Sequence, residues 1–108
     1  MAARKFFGKV LRESQADVLM TGRAGHDTTV TITITNQGTG AARVSLALSS
    51  GGDISGDWLF YNVLLNANTT KEIRGLVVEA GVQVIARTES TNAPATVNAV
   101  GYGFESEV

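Results

Sequence analysis

A chain of 108 residues, 44% apolar and 18% charged, holds material for one core and not two, and is too apolar for a disordered tail. The absence of Cys excludes a disulfide scaffold, a Cys-ligated zinc and a thiol nucleophile, and a single His excludes a multi-histidine metal site within one chain. The net charge of −1 hides an asymmetry: residues 1–13 carry Arg4, Lys5, Lys9 and Arg12 against Glu13 alone, and the remaining residues carry five basic and nine acidic side chains.

The first dozen residues read in two ways. As a helix, Phe6 and Phe7 meet Val10 and Leu11 at i, i+4 spacing. As a strand, Phe7 and Leu11 share a face with Lys5 and Lys9. Gly8 weakens both. No secretory signal is expected, because Gly8 and Lys9 interrupt the apolar start and no run of roughly 7–15 apolar residues follows. No run approaches the roughly 18 apolar residues that span a bilayer. A short strand is expected near residues 16–21, where Val18-Leu19-Met20 is closed by Thr21-Gly22.

Strand patterns dominate from residue 28. Val30, Ile32 and Ile34 alternate with Thr29, Thr31, Thr33 and Thr35, so one face is apolar and the other a threonine ladder, open to water or to a neighbouring subunit. After an Asn36–Gly40 turn, Val44, Leu46 and Leu48 give the next strand its buried face. Asp57 to Leu65 is a long apolar strand with the only Trp. Thr69–Gly75 and Leu76–Val78 follow, then a Glu79-Ala80-Gly81 turn, a strand at 82–87, a break at Asn92-Ala93-Pro94 and a last strand from Ala95 to Glu105. About six short strands after residue 28, two weaker ones before it, and Gly/Asn/Ser turns between them predict an all-β antiparallel sandwich or barrel.

Motifs with chemistry are sparse. His26-Asp27 is an adjacent acid–base pair, but neighbours on a strand point to opposite faces, so turn chemistry is the default. Asp53 and Asp57 sit in a Gly-rich loop without EF-hand spacing, and satisfying the loop's own amides is preferred to calcium. Gly101-x-Gly103 opens no helix, so it reads as close strand packing or a bulge rather than a nucleotide fingerprint. Asn68-Thr69-Thr70 fits a glycosylation sequon, which has no meaning without a secretory route. Strict alternation pairs Trp58 with Phe60 and Leu59 with Tyr61. A sugar-stacking surface is one reading of these aromatics; the preferred one gives one pair to the core and the other to a neighbouring chain. The mildly acidic body argues against direct nucleic-acid binding. No catalytic residue, cofactor or metal is expected, and the chain is expected not to be an enzyme.

From Val18 to Glu105 the order of features resembles small virion proteins of tailed bacteriophages. The resemblance rests on Ile34-Thr35-Asn36, on Ala42-Arg43-Val44-Ser45-Leu46-Ala47, on Asp57-Trp58-Leu59-Phe60-Tyr61 with Leu65-Asn66-Ala67-Asn68-Thr69, on Glu79-Ala80-Gly81-Val82-Gln83-Val84, and on Val97 to Glu105. Two departures are Gly103-Phe104 before the final Glu and the basic N-terminus. The resemblance implies a structural protein of the particle with a β-sandwich or jelly-roll core. Its location would be the virion, with the capsid surface favoured and assembly in the host cytoplasm. The favoured role is a head decoration (cement) protein, a homo-oligomer and most simply a trimer, that clamps coat-protein capsomers. Neck, tail or fibre component and carbohydrate-binding surface module are the alternatives. Partners would be the major capsid protein or other virion proteins, without a membrane; a basic amphipathic anchor over residues 4–12 is a fourth reading. The expected layout is a basic arm over residues 1–14 ahead of one sandwich over 15–108. The expected contact residues are Arg4, Lys5, Phe6, Phe7, Lys9 and Arg12 of the arm, with Leu59 and Tyr61. Deleting residues 1–12 is expected to weaken head binding and leave the sandwich folded.

Overall fold

The computed structural model describes residues 3–51, 54–90 and 96–108. The expected break at Asn92-Ala93-Pro94 and the carboxylate Asp53 lie outside them. The described residues form eight strands: β1 (Arg4–Val10), β2 (Asp17–Thr21), β3 (His26–Asn36), β4 (Ala42–Ser49), β5 (Trp58–Leu65), β6 (Thr70–Val78), β7 (Gln83–Ser90) and β8 (Val97–Glu107). They make two four-stranded antiparallel sheets, β1-β8-β3-β6 and β2-β7-β4-β5, as a β-sandwich requires. The pairing is nested: β1 meets β8, β2 meets β7, β3 meets β6 and β4 meets β5. Consecutive pairs fall alternately on the two sheets.

The core is where the alternation places it. Val30, Ile32 and Ile34 of β3, with Val97 and Ala99 beside them on β8, are buried against Val44 and Leu46 of β4 and Val84 and Ala86 of β7 in one cluster. Each fully buried Ile or Val is worth about 1.5–3 kcal/mol over its exposed state. The threonine ladder faces outward and is half-buried. Strand β4 departs from the one-sided pattern. Ala47, Ser45 and Ser49 on its outer side are as buried as Val44 and Leu46.

Asn36, which ends the Ile34-Thr35-Asn36 triplet, is fully buried and fully bonded. Its amide donates to Gly40 O at 2.8 Å and to Leu65 O at 3.0 Å, and its side-chain oxygen accepts from Gly38 N at 2.9 Å. Its backbone carbonyl also accepts from Asn68 N at 2.8 Å. One residue therefore ties the β3–β4 turn to the β5–β6 turn.

Residues 4–10 do not stand ahead of the sandwich as an arm. They are an edge strand of the first sheet, paired in register with β8 from Arg4↔Gly103 to Val10↔Asn98. A bulge between Lys5 and Phe7 breaks the alternation, so consecutive Phe6 and Phe7 both pack with the core. The Phe7 ring occupies the place of a missing side chain: a Cβ on Gly101 would lie 2.2 Å from Phe7 Cε1. That is the close packing expected of the Gly101-x-Gly103 pair. The chain then crosses sheets, with Leu11 N bonded to Val97 O in the first and Ser14 N to Thr88 O in the second. A boundary at residue 14 therefore divides no structural unit, and removing residues 1–12 strips Phe7 and Leu11 from the core.

Gly101→Ala should lower stability by about 1–3 kcal/mol, the usual cost of overpacking. In a Phe7→Leu background the same change should cost clearly less, because the clashing ring is gone. Urea unfolding of the two single variants and the double variant measures this coupling.

Candidate functional site

Three places carry chemistry: the N-terminal ion cluster, the outer face of the first sheet, and a depression on the outer face of the second.

The ion cluster is built around Asp17, the first residue of β2, whose carboxylate is buried. Oδ2 accepts from the Arg12 backbone amide at 2.8 Å, and Oδ1 accepts from Arg12 Nε at 2.8 Å. Lys9 Nζ stands 3.4 Å from Oδ1. Burial alone would raise the carboxyl pKa, but the Arg12 amide and guanidinium, with Lys9, outweigh it and hold the pKa below its ordinary value of 3.8. Arg4 pairs with Glu105 and lies over the Phe6 ring, 4.9 Å from its centroid. Of the expected contact residues, Arg4, Lys9 and Arg12 thus have acidic partners within their own chain, and Phe6 and Phe7 pack inward. Lys5 is exposed beside Gly8.

The outer face of the first sheet is read off its register. Thr29 lies between Phe104 and Val77, Thr31 beside Tyr102, Thr33 between Val100 and Glu72, and Thr35 between Asn98 and Thr70. Thr35 and Thr70 hydroxyls meet at 3.1 Å. Phe104, Tyr102 and Val77 are 42%, 45% and 51% exposed, and Val10 on β1 extends the same surface. Glu72 and Arg74 on this face pair with each other, and exposed Lys5 lies opposite Tyr102 at the β1 edge.

The depression on the second sheet depends on β5. Two irregularities interrupt its pairing with β4, either side of Leu46↔Phe60. Leu59 is the extra residue of one. Trp58, opposite Ala47, therefore faces outward while Phe60, opposite core residue Leu46, faces inward. Tyr61 and Asn62 fill the other. Asn62 takes a φ of 52°, its amide donates to the buried Ser45 hydroxyl at 2.9 Å, and its carbonyl accepts from Arg43 Nη1 at 3.3 Å. Asn is among the few residues that tolerate this left-handed conformation. The double bulge corrects the alternation expected from sequence. Trp58 sits with Tyr61, ring centroids 5.1 Å apart and planes tilted by 59°, and Phe60 joins the core under Lys71. Leu59 stays exposed. Ile54, Ser55 and Arg87 complete an open depression of about 610 Å³, within the roughly 300–1,000 Å³ range of small-molecule sites.

The remaining candidates take ordinary roles. His26 donates from Nδ1 to Ala24 O at 3.0 Å, and Asp57 N donates to Ile54 O at 2.9 Å. Among the described residues there is no group of three or more His, Cys, Asp or Glu placed to hold a metal ion, and no helix long and apolar enough to cross a membrane. Compared with known proteins, the chain matches no family model and no curated sequence.

Sequence reasoning missed Asp17 and the Trp58–Tyr61 pairing. The only available signal for Asp17 was its position between the apolar Val18-Leu19-Met20 run and two cations five and eight residues earlier.

Because the folded pKa of Asp17 lies below its unfolded value, its contribution to stability is complete above about pH 4. It is lost as pH falls through the folded value. Asp17→Asn should cost about 1.5–3 kcal/mol at neutral pH, the worth of a hydrogen bond to a charged group. The variant should also show a flatter acid limb. Urea titrations across the acid range measure both effects.

Proposed function

We propose that this chain is a non-enzymatic structural protein of a tailed-phage particle, acting as a capsid decoration (cement) protein. The nested strand order is read here as the winding of an eight-strand jelly roll. The carrying observation is the outer face of the first sheet, where exposed aromatic and aliphatic side chains flank a threonine ladder. Large apolar side chains gathered in the open on one sheet face are what a protein contact would use. The molecule is a slab 45 × 32 × 17 Å, and its broad face exceeds the roughly 800 Å² that each partner gives to a stable interface.

The occupant of that face is a second copy of the chain, in a closed homo-oligomer for which a trimer is the simplest form over a local symmetry axis. Association is non-directional in its apolar part and gains register from the threonine rows. The oligomer would clamp neighbouring capsomers through its rim. A free basic arm is not part of this mechanism, since Arg4, Lys9 and Arg12 meet Glu105 and Asp17 within the chain.

Quantitative mass spectrometry of purified particles tests the role: a copy number comparable to the coat protein is expected. A small ring-like number would place the protein in neck, tail or fibre, and absence from particles would overturn the reading. Light scattering on the purified chain tests the face. The wild type should be a homo-oligomer, and Phe104→Lys with Tyr102→Ser should yield a folded monomer that no longer binds heads.

A further inference from the structure

We infer that the depression between Trp58, Tyr61 and Arg87 is a binding site for a neutral hydroxylated ring, the pyranose unit of a glycan. The first reason is the arrangement of the rings. Parallel rings would clamp a flat aromatic ligand. Rings tilted by 59° form a corner instead, which suits a puckered ring with one apolar C–H face and hydroxyls around its edge. Trp58 is half-buried and Tyr61 is 55% exposed, so the corner opens to solvent.

The second reason is Arg87. Its Nη2 donates to Glu89 at 2.7 Å. The guanidinium lines the depression, and its bond to Glu89 sets a donor group beside a carboxylate acceptor. Adjacent hydroxyls on a sugar both accept and donate, and they match that pair. Because Glu89 already balances the Arg87 charge, the site favours a neutral ring over an anion.

The third reason is investment in the geometry. The corner exists only because β5 bulges twice, and one bulge holds Asn62 at a positive φ secured by Ser45 and Arg43. A strand built solely to cover a core has no need of this conformation. The position also suits an accessible site, since the depression lies on the second sheet, away from the face assigned to self-association.

Trp58 is the only tryptophan, so its fluorescence reports the site directly. The full-length protein is titrated with maltotriose, cellotriose and chitotriose, alongside sialyllactose and glucuronic acid. Saturation-transfer NMR on the same mixtures provides a second readout. At least one neutral trisaccharide should shift the emission with millimolar affinity. Tyr61→Ala should weaken that binding by about tenfold, the scale of one lost aromatic contact. Arg87→Lys, which keeps the charge and loses the planar fork, should weaken it similarly. Glu107→Gln at the exposed end of β8 should leave it unchanged, and thermal melts confirm that each variant is folded. Three results would overturn the inference: no response to any neutral trisaccharide at millimolar concentration, preference for the acidic sugars, or binding that survives both Tyr61→Ala and Arg87→Lys. The assay uses purified protein without particles, so its failure leaves the virion reading standing, and the converse also holds.

Discussion

One buried carboxylate organises the end of the sandwich where the chain begins. Asp17 opens β2 in the second sheet, and its partners Lys9 and Arg12 come from β1 and the segment after it, on the first. A charge removed from water must be met by donors and opposite charge, or the fold loses several kcal/mol. Here Arg12 supplies both an amide and a guanidinium, and Lys9 adds a second cation. Meeting that demand fixes the crossing between sheets and brings β1 onto β8. Phe7 then covers Gly101 and Leu11 closes the core behind it. The basic character of the N-terminus is thus largely an internal requirement. Its surplus charge neutralises Asp17 and Glu105 before any partner is involved.

The opposite edge uses a related device. Lys71 sits on the inward-facing side of β6, in register with Ile34, and its ammonium lies over the Phe60 ring, 4.9 Å from the centroid. In both places a long side chain lays its apolar stem along the core and keeps its charge at the rim. A sandwich has open sides where its edge strands cannot pair, and each side is closed by such a residue. The charge at the edge also discourages further strand addition.

Much of the fold was legible in the residues, and the reason is local. Val30-x-Ile32-x-Ile34 states its buried face through period-two alternation, and Gly and Asn mark where strands end. All eight strands have a counterpart in the sequence pattern, including the weaker two. What alternation could not state is register. Bulges arise from pairing with another strand, and each reverses the side-chain parity beyond it. The bulge at Lys5–Phe7 turns two phenylalanines toward the core and makes a strand of an apparent arm. The bulges in β5 exchange the partners of Trp58. The same limit applies to β4: nothing local to Ser45 or Ala47 shows that their outward face is roofed. Asp17 was hidden for another reason, since its partners are set by a chain crossing rather than a spacing.

The separation of the two outer faces connects the two proposals. The slab is only 17 Å thick, so a side chain on one face belongs to a different environment from one directly behind it. If a second copy covered Tyr102 and Phe104 as proposed, and its own contact patch lay away from the second sheet, Trp58, Tyr61 and Arg87 would stay open. The closed oligomer would then present several identical depressions at fixed spacing. A single sugar site with two rings and one arginine binds weakly, and weak sites become effective when linked, because each further contact forms at a high effective concentration. Repetition on a particle surface extends this beyond one oligomer. A decoration protein with an open corner on its outer sheet would gain adhesion from copy number rather than from affinity, so a millimolar site is sufficient.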